Sequence, residues 1–376
     1  MKKVILLLIC VAYMVLTTSC HTYLKHRDKP AWSGLMPSAF IMEVNEEKTH
    51  FYRLTNRSGA EICISDLGAR ILSLMVPDRD GVMRDVVLGY DSLSSFFPNN
   101  SEFGATIGRY ANRICNAKFA LDGDTVRLPQ NNGSNCLHGG TEGWQRKLFS
   151  CTLLNDSTLK LAYSSPDGDM GFPGQVNVEV TFRLTADNSL ILEYDAIADK
   201  RTVINMTNHA YFNLSGDASQ NGLEQVLYVN ADNYTPTARG GRPTGEIKSL
   251  EGTPLDFRQS KAVMRVVNDS VLRGIDTNYV LNTRGDKGMT AASLFSPLSG
   301  ILMEVFTTEP GMQIYTANMP QPPIGKNKIR FNKRPSVCLE TQHFPDSPNH
   351  PEWPTTFIDA GQPWHSETIY RFSVIP

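Results

Sequence analysis

Glu340 lies in surroundings that favour acid–base chemistry. It belongs to the segment SVCLETQHFPD, which has the pattern of an apolar strand. Residues two apart share a strand face, so Cys338 and Gln342 lie beside Glu340 while Val337 and Leu339 occupy the other face. Burial of a carboxylate among such neighbours raises its pKa towards neutrality, the range in which a general base works. The alternative is a structural ion pair between Glu340 and one of the arginines.

His209 is the second candidate for proton transfer. It lies in the segment RTVINMTNHAYFNL, whose alternation predicts a strand with Asn205, Thr207 and His209 on one face. Three hydrogen-bonding groups on one face require either a polar layer inside the protein or a polar ligand. Tyr211 and Phe212, just beyond, would suit the apolar face of a sugar ring. A histidine near a strand end can equally be a packed or capping residue.

Four further segments place charged, imidazole or amide groups beside glycine or in apolar surroundings. The segment IGRYANRI contains Arg109 and Arg113, which could instead pair with carboxylates at a sheet edge. In NCLHGGTEGW, His138 precedes two glycines, which allow close approach to a ligand or simply form a turn. Asp276 in GIDTNYVL could be a turn residue, and Gln313 in TTEPGMQIYT could be an edge residue. Together with the carboxylate and the imidazole above, these side chains would make an acid–base pair with hydrogen-bonding helpers.

The elements that must position these residues are predicted to be strands. Residues 175–184 and 190–197 alternate on either side of a turn, which indicates a hairpin. Only residues 92–97 and 263–273 could form a helical turn or two. Many strands without alternating helices predict an all-β fold, a large antiparallel sandwich. Further strands are predicted at residues 51–54, 62–65, 71–76, 159–163, 225–229, 301–307 and 337–341.

Composition and missing motifs exclude several classes of protein. A net charge of −2 with 20% charged residues gives no support for nucleic-acid binding. The sequence lacks the GxGxxG, GxxxxGK[ST], HExxH and GxSxG motifs of nucleotide-binding proteins, metalloproteases and α/β-hydrolases. The cysteines beyond the N-terminal segment are odd in number and form no CxxC pair, so buried free thiols are expected rather than disulfides or a zinc site. They are Cys63, Cys115, Cys136, Cys151 and Cys338.

Residues 1–20 have the features of a signal peptide. Two lysines precede the apolar block at residues 4–16, and small polar residues follow it before Cys20. The block is too short for a comfortable transmembrane helix, and the position of Cys20 suggests cleavage before it and attachment of lipid to it, as in a bacterial lipoprotein. Thr17 stands where an aliphatic residue is usual, so cleavage to a soluble secreted form is the alternative.

These features predict where the mature protein is located and how it is organised. We expect an exported protein, either periplasmic or anchored in the outer membrane through lipid on Cys20. Residues 21–39 mix charge, proline and glycine without periodicity, which is typical of a tether. No linker divides residues 40–376, so one large domain is expected there.

Six segments together resemble the aldose 1-epimerases, also called galactose mutarotases. They are GRYANRI, NCLHGG with the following Trp144, TNHAYFNL, IDTNYVL, TTEPGMQIYT and CLETQHFPD, in that order within residues 52–372. The resemblance implies a galactose mutarotase-like antiparallel β-supersandwich with an open sugar cleft, a monomer, and a reaction without cofactor, and nothing in the sequence asks for a structural metal. It implies that Glu340 is the general base and His209 the general acid. The sugar-binding residues that it implies are Asn112, Arg113, His138, Asp276 and Gln313.

The activity implied by this resemblance is interconversion of the α and β anomers of aldohexoses such as glucose and galactose. Glu340 would take the proton of the anomeric hydroxyl while His209 protonates the ring oxygen, and the ring would reclose on the other face. Each positioned proton transfer contributes about 10²–10⁴ in rate. This cycle requires an ionised Glu340 and a protonated His209 at the start. A small sugar is the only expected partner, and xylose, arabinose or a disaccharide end are alternative substrates.

Three other functions compete with this one. A hexose-phosphate epimerase of the same fold would need extra arginines or lysines beside the cleft. A sugar-binding lipoprotein would have no need of a matched acid and base. A glycoside hydrolase would need two carboxylates around one bond, and Asp276 is the only partner that the sequence suggests for Glu340.

Overall fold

The structure, a computed structural model, describes residues 29–97, 102–268, 270–319 and 321–376. The predicted signal peptide, with Cys20, lies outside these residues. Over the described ranges the chain is built from β-strands joined by turns, and helix occurs only as short 3₁₀ turns. None of the helices in these ranges has the length and apolar character needed to span a bilayer.

The strands fall into three stretches of sequence. The first contains β1 (Glu43–Val44), β2 (Glu47–Lys48), β3 (Phe51–Thr55), β4 (Glu61–Ser65), β5 (Arg70–Pro77), β6 (Met83–Asp85), β7 (Thr106–Ile107), β8 (Arg113–Ile114), β9 (Lys118–Leu121) and β10 (Asp124–Arg127). The second contains β11 (Cys136–Leu137), β12 (Ser150–Asn155), β13 (Thr158–Ser165), β14 (Val176–Leu184), β15 (Ser189–Ala198), β16 (Thr202–Val203), β17 (Thr207–Asn208), β18 (Val226–Val229), β19 (Ala231–Thr235) and β20 (Thr237–Ala238). The third contains β21 (Arg242–Pro243), β22 (Lys248–Ser249), β23 (Lys261–Ala262), β24 (Asp276–Leu281), β25 (Ala292–Phe295), β26 (Ile301–Thr307), β27 (Gly311–Tyr315), β28 (Cys338–Gln342), β29 (Phe357–Ile358) and β30 (Trp364–Val374).

The helical turns are short and lie between strands. Two of them fall in the segments where the sequence predicts helix, and the others occupy connections whose sequence carries no helical period. They span Pro37–Phe40, Leu93–Phe96, Cys115–Ala117, Trp144–Arg146, Asp169–Gly171, Gly222–Glu224, Val263–Arg265, Lys326–Lys328 and Ser347–Asn349.

Three antiparallel sheets form the body of the protein. The largest has the order β12-β13-β14-β15-β30-β26-β25-β18-β23, and the second has the order β22-β19-β24-β27-β28. The third has the order β3-β4-β5-β6, and the remaining strands form two-stranded sheets. The prediction of an all-β antiparallel supersandwich is confirmed.

The hairpin of β14 and β15 illustrates why these segments become strands. The two strands pair antiparallel along their lengths, with Val180 opposite Tyr194. Val176, Val178 and Val180 are buried in the hydrophobic core, while Asn177 between the first two is exposed. Each such apolar side chain contributes about 1.5–3 kcal/mol on burial, so the alternation fixes which face of the strand is inside.

The segment that leads to His209 differs from the single strand that its pattern predicts. It forms two very short strands, β16 and β17, with Asn205 between them. The Asn205 amide donates to the backbone oxygens of Ala111 and His343 and accepts from the backbone N–H of His343. The polar face is therefore partly satisfied inside the protein, because Asn205 ties three separate segments together.

The folded region begins earlier than the boundary expected at residue 40. Ala31 and Leu35 are 4% and 2% exposed and belong to a hydrophobic cluster that also contains Phe40 and Phe51. The backbone N–H of Trp32 donates to Glu61 Oε1 at 2.7 Å. The last part of the predicted tether is therefore attached to the four-stranded sheet.

The cysteines behave as the sequence predicts. All five cysteines of the described ranges are free thiols, and four of them are buried. Cys151 is the half-buried exception.

Candidate active site

Three of the predicted site residues lie on neighbouring strands of the five-stranded sheet. Gln313 on β27 is directly opposite Glu340 on β28, and Asp276 begins β24 on the other side of β27. The Gln313 amide donates from Nε2 to Asp276 Oδ1 at 2.5 Å. Cross-strand pairing therefore sets an amide between two carboxylates on one wall of a cleft.

The opposite wall is built by the two-stranded sheet of β8 and β11. The backbone N–H of Asn112 donates to His138 Nδ1 at 3.2 Å, and the backbone N–H of His138 donates to the Asn112 carbonyl at 2.9 Å. Burial, and then the charges of His209 and Arg113, lower the pKa of His138 well below its usual value, so this ring is neutral. Because Nδ1 accepts a hydrogen bond, the ring proton lies on Nε2. His138 can therefore act as a fixed hydrogen-bond donor.

Arg113 connects the two walls. Its Nη2 lies 3.8 Å from Asp276 Oδ2 and its Nε donates to Asn132 Oδ1 at 3.2 Å. Its backbone N–H donates to Asn112 Oδ1 at 2.9 Å. The Arg113 side chain is 15% exposed and lines the cleft, so it retains access to a ligand there.

His209 lies at the bottom of the cleft, directly after β17. Its ring is stacked on that of Tyr211, with centroids 4.9 Å apart, and lies 5.3 Å from the ring of His138. His209 Nε2 is 3.6 Å from Glu340 Oε1, and both side chains are almost fully buried. Within the described ranges, His209 Nδ1 and Glu340 Oε2 have no hydrogen-bond partner. Both members of the pair therefore have unused hydrogen-bonding capacity.

All seven residues singled out by the resemblance line one cavity of about 170 Å³. The segments that supply them are far apart in sequence, and the sheets bring them together. The seven are Asn112, Arg113, His138, His209, Asp276, Gln313 and Glu340.

Burial changes the proton affinity of both members of the pair. It raises the pKa of Glu340 well above its usual value, and the negative charges of Asp276 and Glu102 add to the effect, while Arg113 opposes it. Burial lowers the pKa of His209 to about 4. In both cases the cause is that a buried site penalises the charged form.

These shifts are opposite to the starting state expected from the sequence. That expectation was an ionised Glu340 and a protonated His209, whereas the pKa shifts favour a neutral carboxyl and a neutral imidazole. Both arrangements hold one proton on the pair, and at 3.6 Å they differ only by its position. The pair is therefore best treated as one titrating unit.

Two residues suggested by the sequence do not belong to the cleft. Arg109 is 2% exposed and donates to the carbonyls of Pro173 and Gly174 and to Ser165 Oγ, so it holds loops together instead of pairing with a carboxylate. Phe212 is fully buried against the ring of Tyr370, 5.1 Å away. Of the aromatic pair, only Tyr211 therefore lines the cavity.

The ion pair considered as an alternative for Glu340 is also absent from the described ranges. No arginine lies within salt-bridge distance of Glu340, and its ionic contact there is with His209. The arginine of the cleft is paired with Asp276 instead.

The cavity contains three residues that the sequence analysis did not select, Glu102, Leu137 and Tyr315. Burial raises the pKa of Glu102, and its charge acts on Glu340. Asp276 is therefore not the only second carboxylate of the cleft. Nothing in the local pattern of SEFGATIG identifies Glu102, because its proximity to Glu340 results from packing between distant segments.

A metal ion is the other ligand that this constellation could hold. One ligand atom each from His138, His209 and Glu340 lies within 4.8 Å of the others. Coordination by His138 Nε2 would require the proton to move to Nδ1, which accepts the Asn112 N–H. The tautomer that the backbone imposes thus suits a sugar hydroxyl better than a metal at Nε2.

Comparison with known proteins gives the same answer for most of the chain. The sequence profile of the family described as Aldose 1-epimerase matches residues 50–371. The chain is 38% identical over 325 residues to the aldose 1-epimerase of Escherichia coli (strain K12), which covers 85% of this chain and 94% of that protein. It is 38% identical over 308 residues to the galactose mutarotase of Homo sapiens, covering 82% of this chain and 89% of that protein.

Solved structures agree on the fold. An aldose epimerase homologue from C. elegans superposes with a TM-score of 0.82 and 28% identity, over 87% of this chain and 100% of that chain. A galactose 1-epimerase from Lactobacillus acidophilus superposes with a TM-score of 0.77 and 24% identity, over 89% of this chain and 97% of that chain, which supports the fold alone. The site geometry, the profile match and these relatives lead to one conclusion: the chain belongs to the aldose 1-epimerase family of isomerases.

Proposed function

We propose that this protein interconverts the α and β anomers of aldohexoses such as glucose and galactose by opening and reclosing the sugar ring. The observation that carries the proposal is the pair of His209 Nε2 and Glu340 Oε1, 3.6 Å apart in a buried cavity. An acid and a base at this separation can act on two oxygens of one small molecule. The names of the relatives, aldose 1-epimerase and galactose mutarotase, support the sugar class.

The proposed cycle moves two protons. Glu340 takes the proton of the anomeric hydroxyl while His209 gives its proton to the ring oxygen, and the bond between that oxygen and the anomeric carbon breaks. Rotation about the adjacent carbon–carbon bond exposes the other face of the new carbonyl. Reclosure returns the proton from Glu340 to the carbonyl oxygen, while His209 recovers its own from the former ring oxygen. The form with a neutral carboxyl and a neutral imidazole is the one present after ring opening, and burial favours it.

The remaining cavity residues hold the sugar in this proposal. The neutral His138 donates from Nε2, and Arg113 donates to hydroxyl oxygens while its charge favours the ionised form of Glu340. Asp276 and Gln313, already bonded to each other, accept from and donate to hydroxyls further round the ring. Asn112 fixes His138 through its backbone and Arg113 through its side chain. The tyrosine ring beside His209 gives the site an apolar surface.

We further propose that the protein acts outside the cytoplasm, in the periplasm or at the outer membrane. The support is the signal-like sequence of residues 1–20 and the position of Cys20. Mass spectrometry of the purified mature protein would detect cleavage before Cys20 and lipid on its sulfur. An uncleaved chain would contradict export by this route, and an unmodified Cys20 at the new terminus would contradict the lipid anchor.

Polarimetry tests the proposed activity directly. Freshly dissolved α-D-glucose and α-D-galactose would be followed with and without protein lacking residues 1–20, together with a Glu340→Gln variant. We expect the wild type to accelerate the approach to equilibrium and the variant to lose that effect. If neither sugar responds while calorimetry shows that it binds, the protein is a sugar binder and the proposed activity is wrong.

A further inference from the structure

A second cavity adjoins the sugar cleft and has the opposite charge character. Its volume is about 510 Å³, and it shares Arg113 with the cleft, so the two spaces meet at that guanidinium. No Asp or Glu is among the residues that line it. The polar side chains lining it are those of Arg113, Asn132, Ser134, Asn135, Arg239 and Arg242.

Two of the three arginines are free to bind a ligand. Arg239 and Arg242 belong to the hairpin of β20 and β21, and both are exposed. Neither forms a salt bridge or a side-chain hydrogen bond with the part of the chain that is described. Unpaired arginines that flank one concave surface are suited to bind an anion, because the guanidinium presents several donors in a fixed plane.

The hairpin that carries them is held against the sugar cleft. A Cβ added to Gly241 would lie 2.7 Å from Cζ of Arg113, so the glycine turn rests directly on the guanidinium. The φ of +73° at Gly241 also requires glycine there. Asn135, which is buried, reaches towards the Gly240 carbonyl at 3.5 Å. The two arginines are thus fixed at the edge of the cleft and are not carried by a distant loop.

The charges of the two cavities would orient an acidic sugar. The cleft contains the acidic side chains of Glu102, Asp276 and Glu340, whereas the only ionisable side chains of the adjoining cavity are arginines, so an anionic group is better placed in the second than in the first. A sugar whose anomeric carbon faces Glu340 and whose anionic group lies beyond Arg113 keeps that group away from the acidic side chains and beside the arginines. The reversed orientation would place like charges together.

We propose that the cavity lined by Arg113, Arg239 and Arg242 is a subsite for an anionic group on the substrate, a uronate carboxylate or a phosphate ester. The preferred substrates are then aldoses that carry such a group. This inference rests on the proposed epimerase activity, because the anion is bound while the anomeric carbon lies at Glu340. Arg239 and Arg242 would then be the extra arginines beside the cleft that an epimerase of phosphorylated sugars needs.

The test compares neutral and anionic aldoses on the same protein. Exchange between anomers would be measured by proton NMR for D-glucose, D-galactose, D-glucuronate, D-galacturonate and D-glucose 6-phosphate. We expect a higher kcat/KM for at least one anionic sugar than for its neutral parent. The uronates and the phosphate ester distinguish the two sources of the anion. A preference for neither class of anionic sugar over the neutral parent would overturn the inference.

Substitution of the two arginines sharpens the test. In the Arg239→Gln/Arg242→Gln variant, the ratio of kcat/KM for the anionic sugar to that for its neutral parent should fall about tenfold, which corresponds to loss of a charge-assisted hydrogen bond. Arg57→Gln is the matched control, because Arg57 is an exposed arginine in the turn between β3 and β4. An unchanged ratio in the double variant would contradict the subsite.

The remaining outcomes separate this inference from the proposed function. If no aldose is accelerated, the epimerase activity itself is wrong. If the neutral sugars are accelerated without any anionic preference, the activity stands and the anion subsite does not exist. Should the double variant fail to fold, salt provides the second measurement: added NaCl should raise KM for the anionic sugar and leave that for the neutral sugar unchanged.

Discussion

Within the described ranges, two pairs of a histidine and a glutamate have a buried carboxylate, and they differ in almost every physical property. His209 and Glu340 lie 3.6 Å apart in the sugar cleft, and each has an atom without a hydrogen-bond partner in the described ranges. His343 and Glu309 lie outside the cleft lining, with Nδ1 and Oε2 only 2.6 Å apart. The same two residue types thus form a loose pair, His209 with Glu340, and a tight pair, His343 with Glu309.

In the tight pair, both oxygens of the Glu309 carboxylate and Nδ1 of His343 have hydrogen-bond partners. Glu309 accepts from His343 through one oxygen and from the Ser366 hydroxyl through the other, at 2.5 Å. The backbone N–H of His343 donates to Asn205 Oδ1. Burial alone would lower the pKa of His343, but the charge and the hydrogen bond of Glu309 outweigh it and raise the pKa. The charged form of this histidine is therefore stabilised by its partner.

The loose pair shows the opposite balance. Burial lowers the pKa of His209 to about 4 because no hydrogen bond to Glu340 compensates for the loss of water. Residue type therefore does not by itself define a catalytic pair. Unused hydrogen-bonding capacity in a cavity marks the pair that can exchange protons with a ligand, whereas full satisfaction marks the pair that holds the fold together.

The largest expected effect is the loss of catalysis on breaking the loose pair. Glu340→Gln should lower kcat by at least about 10²–10⁴, because the amide cannot take a proton, and His209→Asn should do nearly the same. Sugar affinity should change only modestly, since the other cavity residues remain. Polarimetry gives the rates and calorimetry the affinities. Turnover retained in Glu340→Gln would overturn its assignment as the base.

Breaking the tight pair should instead cost stability. His343→Ala leaves the carboxylate of Glu309, which is almost fully buried, without its charged partner, and should lower the free energy of unfolding by about 3 kcal/mol. His209→Asn should change it by less than about 1 kcal/mol, because no hydrogen bond of the native ring is lost. Urea denaturation of both variants measures the difference. Equal losses of stability would show that the two pairs are not distinguished by their hydrogen bonds.

The sign of the pH dependence adds a check on the tight pair. A histidine whose pKa is raised by folding stabilises the native state fully below its unfolded pKa of about 6.5. That contribution is lost as pH rises through the raised pKa. The stability difference between wild type and His343→Ala should therefore be greatest at acidic pH and shrink at alkaline pH.

For the loose pair, pH should control activity. The active form holds one proton on the two groups. We therefore expect kcat/KM to fall as pH drops below about 4, because His209 is then protonated as well and the pair holds two protons. It should fall again as pH rises through the raised pKa of Glu340 and removes the only proton. A pH–rate profile on glucose measures both limits. A rate that keeps rising on the alkaline side would contradict the shared proton.

The smallest expected effect concerns Glu102. Its negative charge raises the pKa of Glu340, so Glu102→Gln should move the alkaline limit of the pH–rate profile to lower pH. The substitution keeps the size of the side chain and should leave the overall fold intact. The profile of Glu179→Gln, a change at a partly exposed glutamate of β14 paired with Lys160, serves as the control. An alkaline limit identical to that of the wild type would remove Glu102 from the electrostatics of the pair.

Much of the fold follows from local pattern. The alternation in residues 175–184 and 190–197 predicts the hairpin of β14 and β15, because one apolar row must face the core. The strand of Glu340 is predicted for the same reason. The segment before His209 was less predictable: its alternation continues, but Asn205 binds the backbone of two other segments and divides the strand.

For the site, the resemblance carried by the six motifs identified seven of the residues that line the cavity, but it did not select Glu102, Leu137 or Tyr315. Tertiary structure alone decided their state. The tautomer of His138 depends on the Asn112 backbone, and the low pKa of His209 depends on burial. The presence of Glu102 beside the pair and of the arginine hairpin beside the cleft also depends on packing between segments distant in sequence. The burial of a group and the charges that act on it depend on every residue nearby in three dimensions. Many of these residues are distant in sequence, so a local sequence pattern cannot predict them.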